Sequence, residues 1–218
     1  MPYIKLVNEE GTDCISEEHL KNLICYCFSP HKTMQDSARV NPSFQGIYTG
    51  CEPFLFPREY EHDAEVVLQF FRYINRVFPN DRQTLAMHRI ISFHASELIL
   101  PQDIDVLARR IACFYAEKGY VAAYAVHADT AEVHAHFVVC ASSYRDGNSF
   151  HIAFEYNHLE HIIRSWESEH DERLDSDLSF RNHREQALFG NLSYGRAAIS
   201  AEGQIKNCRK DYKQYGHI

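Results

Sequence analysis

The chain has 218 residues, enough for one domain with a substantial core or one domain plus an extension. Its hydrophobic content of 45% and charged content of 24% are those of a folded soluble chain, and no apolar run is long enough to span a bilayer. A net charge of −8 excludes a nonspecific nucleic-acid coat, which would be strongly basic, but leaves room for a local basic groove.

Taken in order, Tyr3 to Val7 alternates as a first strand and ends in the turn-like Asn8 to Asp13. Ser16 is placed to cap a helix whose first turn carries Glu17 and Glu18, matching the helix dipole, with Leu20, Leu23, Ile24 and Cys27 at helical spacing. Tyr26 falls in its last turn, and Pro30 stops it within Phe28-Ser29-Pro30-His31-Lys32-Thr33. Residues 34–57 are loop-rich, with a short strand expected in Gly46 to Cys51. Tyr60 to Phe78 predicts a second helix. Leu85 to Phe93 predicts a strand with His88, Ile90 and Ser92 on one face and Met87, Arg89, Ile91 and Phe93 on the other. Pro101 opens a third helix, Gln102 to Lys118, ended by Gly119.

Next come two apolar runs, Tyr120 to Val126 and Phe137 to Ser142, rich in β-branched, aromatic and small residues. Between them lies His127-Ala128-Asp129-Thr130-Ala131-Glu132-Val133-His134-Ala135-His136. Residues two apart on a strand share a face, so His134 and His136 project together. A tight turn at Asp129 to Val133 brings His127 opposite His134, and three imidazoles converge on one point. Such a trio is a metal site, with Asp129 and Glu132 near enough to orient an imidazole or add a ligand. Imidazole suits zinc, copper, iron and nickel, so spacing alone does not name the metal. Arg145-Asp146-Gly147-Asn148 makes another turn, between Cys140 to Tyr144 and Ser149 to Ile152. Phe154 to His170 is a further helix carrying the one tryptophan, Trp166, and beyond Asp171 the pattern is polar with one or two short helices.

Strands interspersed with helices, and central strands joined by hairpins, predict an α+β fold in which an antiparallel sheet is flanked by helices. The division expected is a catalytic domain over 1–170 and a helical extension over 171–218. The N-terminus lacks the basic region and apolar run of a secretory signal, so the cytoplasm is the expected location. Seven cysteines at irregular spacings fit reduced thiols, and Cys25 and Cys27, one residue apart with no second pair, argue against a cysteine-based metal centre. The basic groups Arg72 with Arg76, Arg109 with Arg110, and Lys206, Arg209, Lys210 and Lys213 read as solvated faces.

The segment His127-x-Asp129-x(4)-His134-x-His136, followed by an apolar strand and Arg145-Asp146-Gly147, resembles the His-hydrophobic-His motif of conjugative and mobilisation relaxases of the MOB-P-like type. Leu23 to Thr33 resembles their N-terminal tyrosine motif, and His88-Arg89-Ile90-Ile91-Ser92-Phe93 the strand that ends in Ser-Phe. The resemblance spans roughly residues 16–152; Ala135, small rather than bulky, departs from the pattern between the two histidines. It implies about five antiparallel strands. It also implies strand-specific nicking and rejoining of single-stranded DNA at a mobile element's origin of transfer. Tyr26 would attack the scissile phosphate and leave a 5′-phosphotyrosyl link and a free 3′-hydroxyl. His127, His134 and His136 would hold a divalent ion, Mn2+ or Mg2+, with Zn2+, Ni2+ or Co2+ as further options. A tyrosine phenol titrates near ~10, so it needs a proton acceptor or nearby positive charge. His31 is placed for that role or as a substitute nucleophile, Asp129 to orient His127, and Lys32 and Arg89 to touch phosphates. Accessory relaxosome and coupling proteins are implied partners, with no membrane insertion.

Rival readings stand beside this one. A rolling-circle replication initiator or single-tyrosine transposase would place its tyrosine after the histidine pair, where Tyr156 is the candidate. A non-haem iron oxygenase would use His127, Asp129 and a later histidine. A non-catalytic metal-stabilised binding module would use the trio for folding alone. His88 is read either as an ordinary strand histidine or as a partner of the trio.

Overall fold

The computed structural model describes residues 3–7, 14–33, 48–80, 83–93, 99–127 and 133–185, with the backbone alone for 3–7 and 171–185. Two compact units divide the chain at 1–170 and 171–218. In the second, the backbone of 171–185 is helical.

The first unit is built on a five-stranded sheet. Its strands are β1 (Tyr3–Val7), β2 (Thr49–Glu52), β3 (Ala86–Ser92), β4 (Ala122–His127) and β5 (His134–Cys140), in the order β1-β3-β5-β4-β2. Each neighbouring pair is antiparallel. β5 therefore occupies the centre. Only β4 and β5 are both consecutive and adjacent, so the expected hairpin joins that pair alone, while β3 reaches β4 through a helix.

Helices cover both faces: α1 (Glu17–Cys27) and α2 (Ala64–Val77) on one, α3 (Pro101–Glu117) and the part of α4 (Glu155–Glu185) within residues 155–170 on the other. Alternation along the strands sorts the core accordingly. Ala123, Ala125, Val138 and Cys140 pack with Leu20 and Ile24 of α1 and Val67, Phe71 and Ile74 of α2. Tyr124, Val126, Phe137 and Val139 pack with Ile104, Leu107 and Ile111 of α3 and Leu159, Ile163 and Trp166 of α4. Each such large side chain contributes roughly 1.5–3 kcal/mol on burial. At Gly50, opposite Tyr124 in the register, a Cβ would stand 2.7 Å from the tyrosine ring, so only glycine lets β2 lie against β4 there.

Local signals set the helix ends. Ser16 Oγ accepts from the His19 N–H at 3.1 Å and opens α1. α2 begins at Ala64 rather than Tyr60, because Asp63 accepts from the N–H groups of Glu65 and Val66. Tyr60 instead closes a 3-10 turn, Arg58–Tyr60. α4 runs on to Glu185, past the expected end at His170. The turn at 145–148 is joined by a single bridge, Ser142 to Ser149, rather than by two strands.

Candidate metal centre and nucleophile

The β4–β5 register sets His127 directly opposite His134, and His136, two residues on, shares their face. The ring centroids stand 5.2 Å apart for His127 and His134, 4.4 Å for His127 and His136, and 4.9 Å for His134 and His136. One ring nitrogen from each lies within 4.8 Å of the others. This face is the one α1 covers, and the end of α1 completes the site.

Hydrogen bonds fix the rings. His127 Nε2 lies 2.7 Å from the Cys27 carbonyl oxygen. A carbonyl only accepts, so Nε2 carries the proton and the lone pair of the neutral ring sits on Nδ1. His136 Nδ1 meets His88 Nε2 at 2.8 Å, with the two rings stacked at 5.1 Å. The other nitrogen of His136, Nε2, is buried and makes no hydrogen bond among the described residues. Burial first, then the charges of His88, His127, His134 and Lys32, hold the His136 pKa well below the ordinary histidine value. A neutral imidazole with an available lone pair is what a divalent ion requires, and a buried polar atom without a hydrogen bond fits an ion ligand. The three residues fit a metal.

Tyr26, in the last turn of α1, is 44% exposed, with its ring centroid 5.6 Å from that of His127 and 5.5 Å from that of His136. The Lys32 ammonium lies over the same ring, 4.3 Å from its centroid. His31 is exposed in the turn after α1, and Asp129 lies outside the described residues.

Arg89 corrects its expected role. Its side chain points to the opposite face of the sheet and is 1% exposed. Its Nε and Nη2 donate to Glu155 Oε1 and Oε2 at 2.8 and 3.0 Å. This is a core ion pair between β3 and α4, not a phosphate contact. Arg72 is paired with Glu17, Arg109 with Glu52 and Glu61, and Arg110 with Glu169, so these cations are tied to carboxylates of the fold.

Residues 55–171 match the model of the MobA/VirD2-like relaxase nuclease domain. The chain belongs to this relaxase family. The matched span contains β3, β4 and β5, and hence His88 and the trio, and begins downstream of Tyr26. The family places this relaxase among the DNA endonucleases of conjugative transfer. A solved structure titled "Molecular Basis of Vancomycin Resistance Transfer in Staphylococcus aureus" is similar at 14% identity, over 81% of this chain and 93% of that one, with a TM-score of 0.45. Among curated proteins, none matches the relaxase chain.

Of two neighbours of the relaxase trio, one stands undecided in the sequence and the other is not expected from it. His88 was left open because alternation gave its face but not the β3–β5 register that brings it to His136. Cys27 was set aside on spacing, yet its sulfur lies within 4.8 Å of ring nitrogens of both His88 and His136.

Proposed function

We propose that this relaxase nicks and rejoins one DNA strand at an origin of transfer by transesterification at Tyr26. The observation that supports the reading best is the exposed Tyr26 ring standing edge-on to His127 and His136. The phenol oxygen forms a bond to the scissile phosphorus, and the bond from phosphorus to the 3′-oxygen breaks. A 5′-phosphotyrosyl link and a free 3′-hydroxyl result, and the reverse attack reseals the strand. One ester replaces another, so no nucleotide cofactor is needed.

His127, His134 and His136 hold the divalent ion, with His88 positioning His136 through Nδ1. When bound, the ion neutralises charge on the phosphate oxygens. By donor type three imidazoles favour Zn2+, Ni2+ or Co2+, whereas Mn2+ and Mg2+ prefer oxygen donors, so the trio alone does not choose among these ions. Lys32 contacts a phosphate beside Tyr26, and His31 takes the phenol proton or stands in as nucleophile. Asp129 orients His127. The substrate is single-stranded DNA, the setting cytoplasmic, and relaxosome and coupling proteins the partners.

The initiator or transposase reading loses ground on one observation. Tyr156 lies beside Glu155, whose partner Arg89 is on the face of the sheet opposite the trio. The test is covalent capture: oligonucleotides spanning the transfer origin are incubated with Mn2+ and the protein, and adducts are read on denaturing gels. An adduct present in the unmodified chain and lost in both Tyr26→Phe and His134→Ala is the expected result. An adduct that survives Tyr26→Phe moves the nucleophile to His31 or Tyr156. Absence of any adduct, together with unfolding on metal removal, favours the binding-module reading.

A further inference from the structure

At the end of α1 a second set of metal donors overlaps the first. The Cys27 sulfur, one ring nitrogen of His88 and one of His136 lie within 4.8 Å of one another. Cys27 is fully buried, and that burial drives its thiol pKa far above the usual range, with Lys32 opposing. Without a metal the group is a protonated, inert thiol. The nitrogen of His136 on the His88 side is Nδ1, 2.8 Å from His88 Nε2.

The two sets share His136, and a neutral imidazole has one lone pair. With the proton on Nδ1 and donated to His88, the lone pair sits on Nε2, where the trio needs it. With the proton on Nε2, the lone pair sits on Nδ1, on the His88 side of the ring. The neutral ring therefore serves one set or the other. The sets also differ in softness. Three imidazoles accept manganese, cobalt or nickel, whereas a thiolate with two imidazoles selects thiophilic ions of the zinc and cadmium class.

We propose that Cys27, His88 and His136 form a thiolate site for a soft divalent ion, whose occupancy withdraws His136 from the trio and switches nicking off. On binding, the Cys27 S–H bond breaks, a metal–sulfur bond forms and that proton passes to water; His136 gives up its Nδ1 proton to water and takes one up at Nε2, so the ring stays neutral. The switch rests on the trio's role proposed above; the thiolate site itself does not.

The test uses the full chain, with cadmium as the probe and the thiolate-to-cadmium charge-transfer absorption as the readout. Cys25, Cys113 and Cys208 are replaced by serine to remove competing thiols, the first two being exposed. The band is expected in this background, lost in Cys27→Ala and His88→Ala, and kept in His127→Ala and His134→Ala. Cys27→Val, which fills more of the same core space, must also lack the band, with folding of each variant checked by thermal unfolding. Manganese at about ten times its dissociation constant should raise the cadmium midpoint roughly tenfold, and have no effect in His127→Ala. A band that persists in folded Cys27→Ala overturns the site. A band indifferent to manganese overturns the switch. Electron paramagnetic resonance of manganese with the unmodified chain then shows whether the failure lies with the trio, if no ion binds, or with the coupling through His136.

Discussion

At the scale of single residues, the site is governed by which nitrogen of each imidazole carries a proton. The Cys27 carbonyl decides this for His127, whereas His88 holds Nδ1 of His136 in a bond that either tautomer can make. A ligand whose second nitrogen is held in this way enters coordination already oriented, and loss of such a partner costs ~10–100-fold in metal affinity. His88→Ala should weaken manganese binding by about that factor. His88→Gln, whose side-chain oxygen can still accept from Nδ1, should recover most of the affinity. Titration calorimetry with Mn2+ measures both. Equal affinity in His88→Ala and the unmodified chain would mean that the His88–His136 bond is packing and nothing more.

Between elements, buried charge joins the strands to the helices. Arg89 of β3 donates two bonds to Glu155 in the first turn of α4, and the Tyr115 hydroxyl of α3 donates a third to Glu155 Oε1 at 2.7 Å. Removing one member strands the other without solvent, so Arg89→Ala should lower unfolding stability by about 3–5 kcal/mol. The pair Arg89→Met with Glu155→Gln keeps an acceptor for Tyr115 without a buried charge, and should regain a large part of that loss in urea melts. A second junction ties β2, the 3-10 turn and α3. Arg58 and Arg109 both reach Glu52 and Glu61, at 2.7–2.9 Å in their shortest contacts. Burial pushes the Glu61 pKa up, but the guanidinium groups of Arg109 and Arg58 outweigh it and hold the carboxyl below its ordinary value. With the folded pKa depressed, the stabilisation is complete above the ordinary glutamate pKa of ~4.3 and fades as pH falls through the lower folded value. Stability of the native protein should therefore drop on acidification from about pH 4.3 downward, and Glu61→Gln should show a shallower slope over that interval. Identical slopes in parallel urea titrations would remove Glu61 from the acid response.

For the whole molecule, what the sequence disclosed follows the range of each signal. The trio was readable because period two and a short turn act within ten residues, and Ser16, Pro101 and Gly119 marked helix ends by local chemistry. The order β1-β3-β5-β4-β2 was not readable, since it depends on which strands meet after α3 has crossed the sheet. The same gap left His88 undecided and hid Cys27, both of which reach the site through tertiary contacts, and misplaced Arg89, whose face was right but whose partner Glu155 lies sixty-six residues away. Long-range pairing also bears on DNA. The chain carries a net charge of −8, and Arg58, Arg72, Arg89, Arg109 and Arg110 are each engaged by carboxylates within the fold. With those cations engaged, attraction for a single strand must arise locally, and Lys32 lies over the exposed Tyr26 ring. A single-strand phosphate contact contributes about −0.7 to the slope of log affinity against log salt. Lys32→Ala should make that slope shallower by about 0.7 and weaken binding most at low salt, as read by fluorescence anisotropy of a labelled origin strand. An unchanged slope, even with weaker binding, would leave Lys32 as a cation seated on the Tyr26 ring with no phosphate of its own.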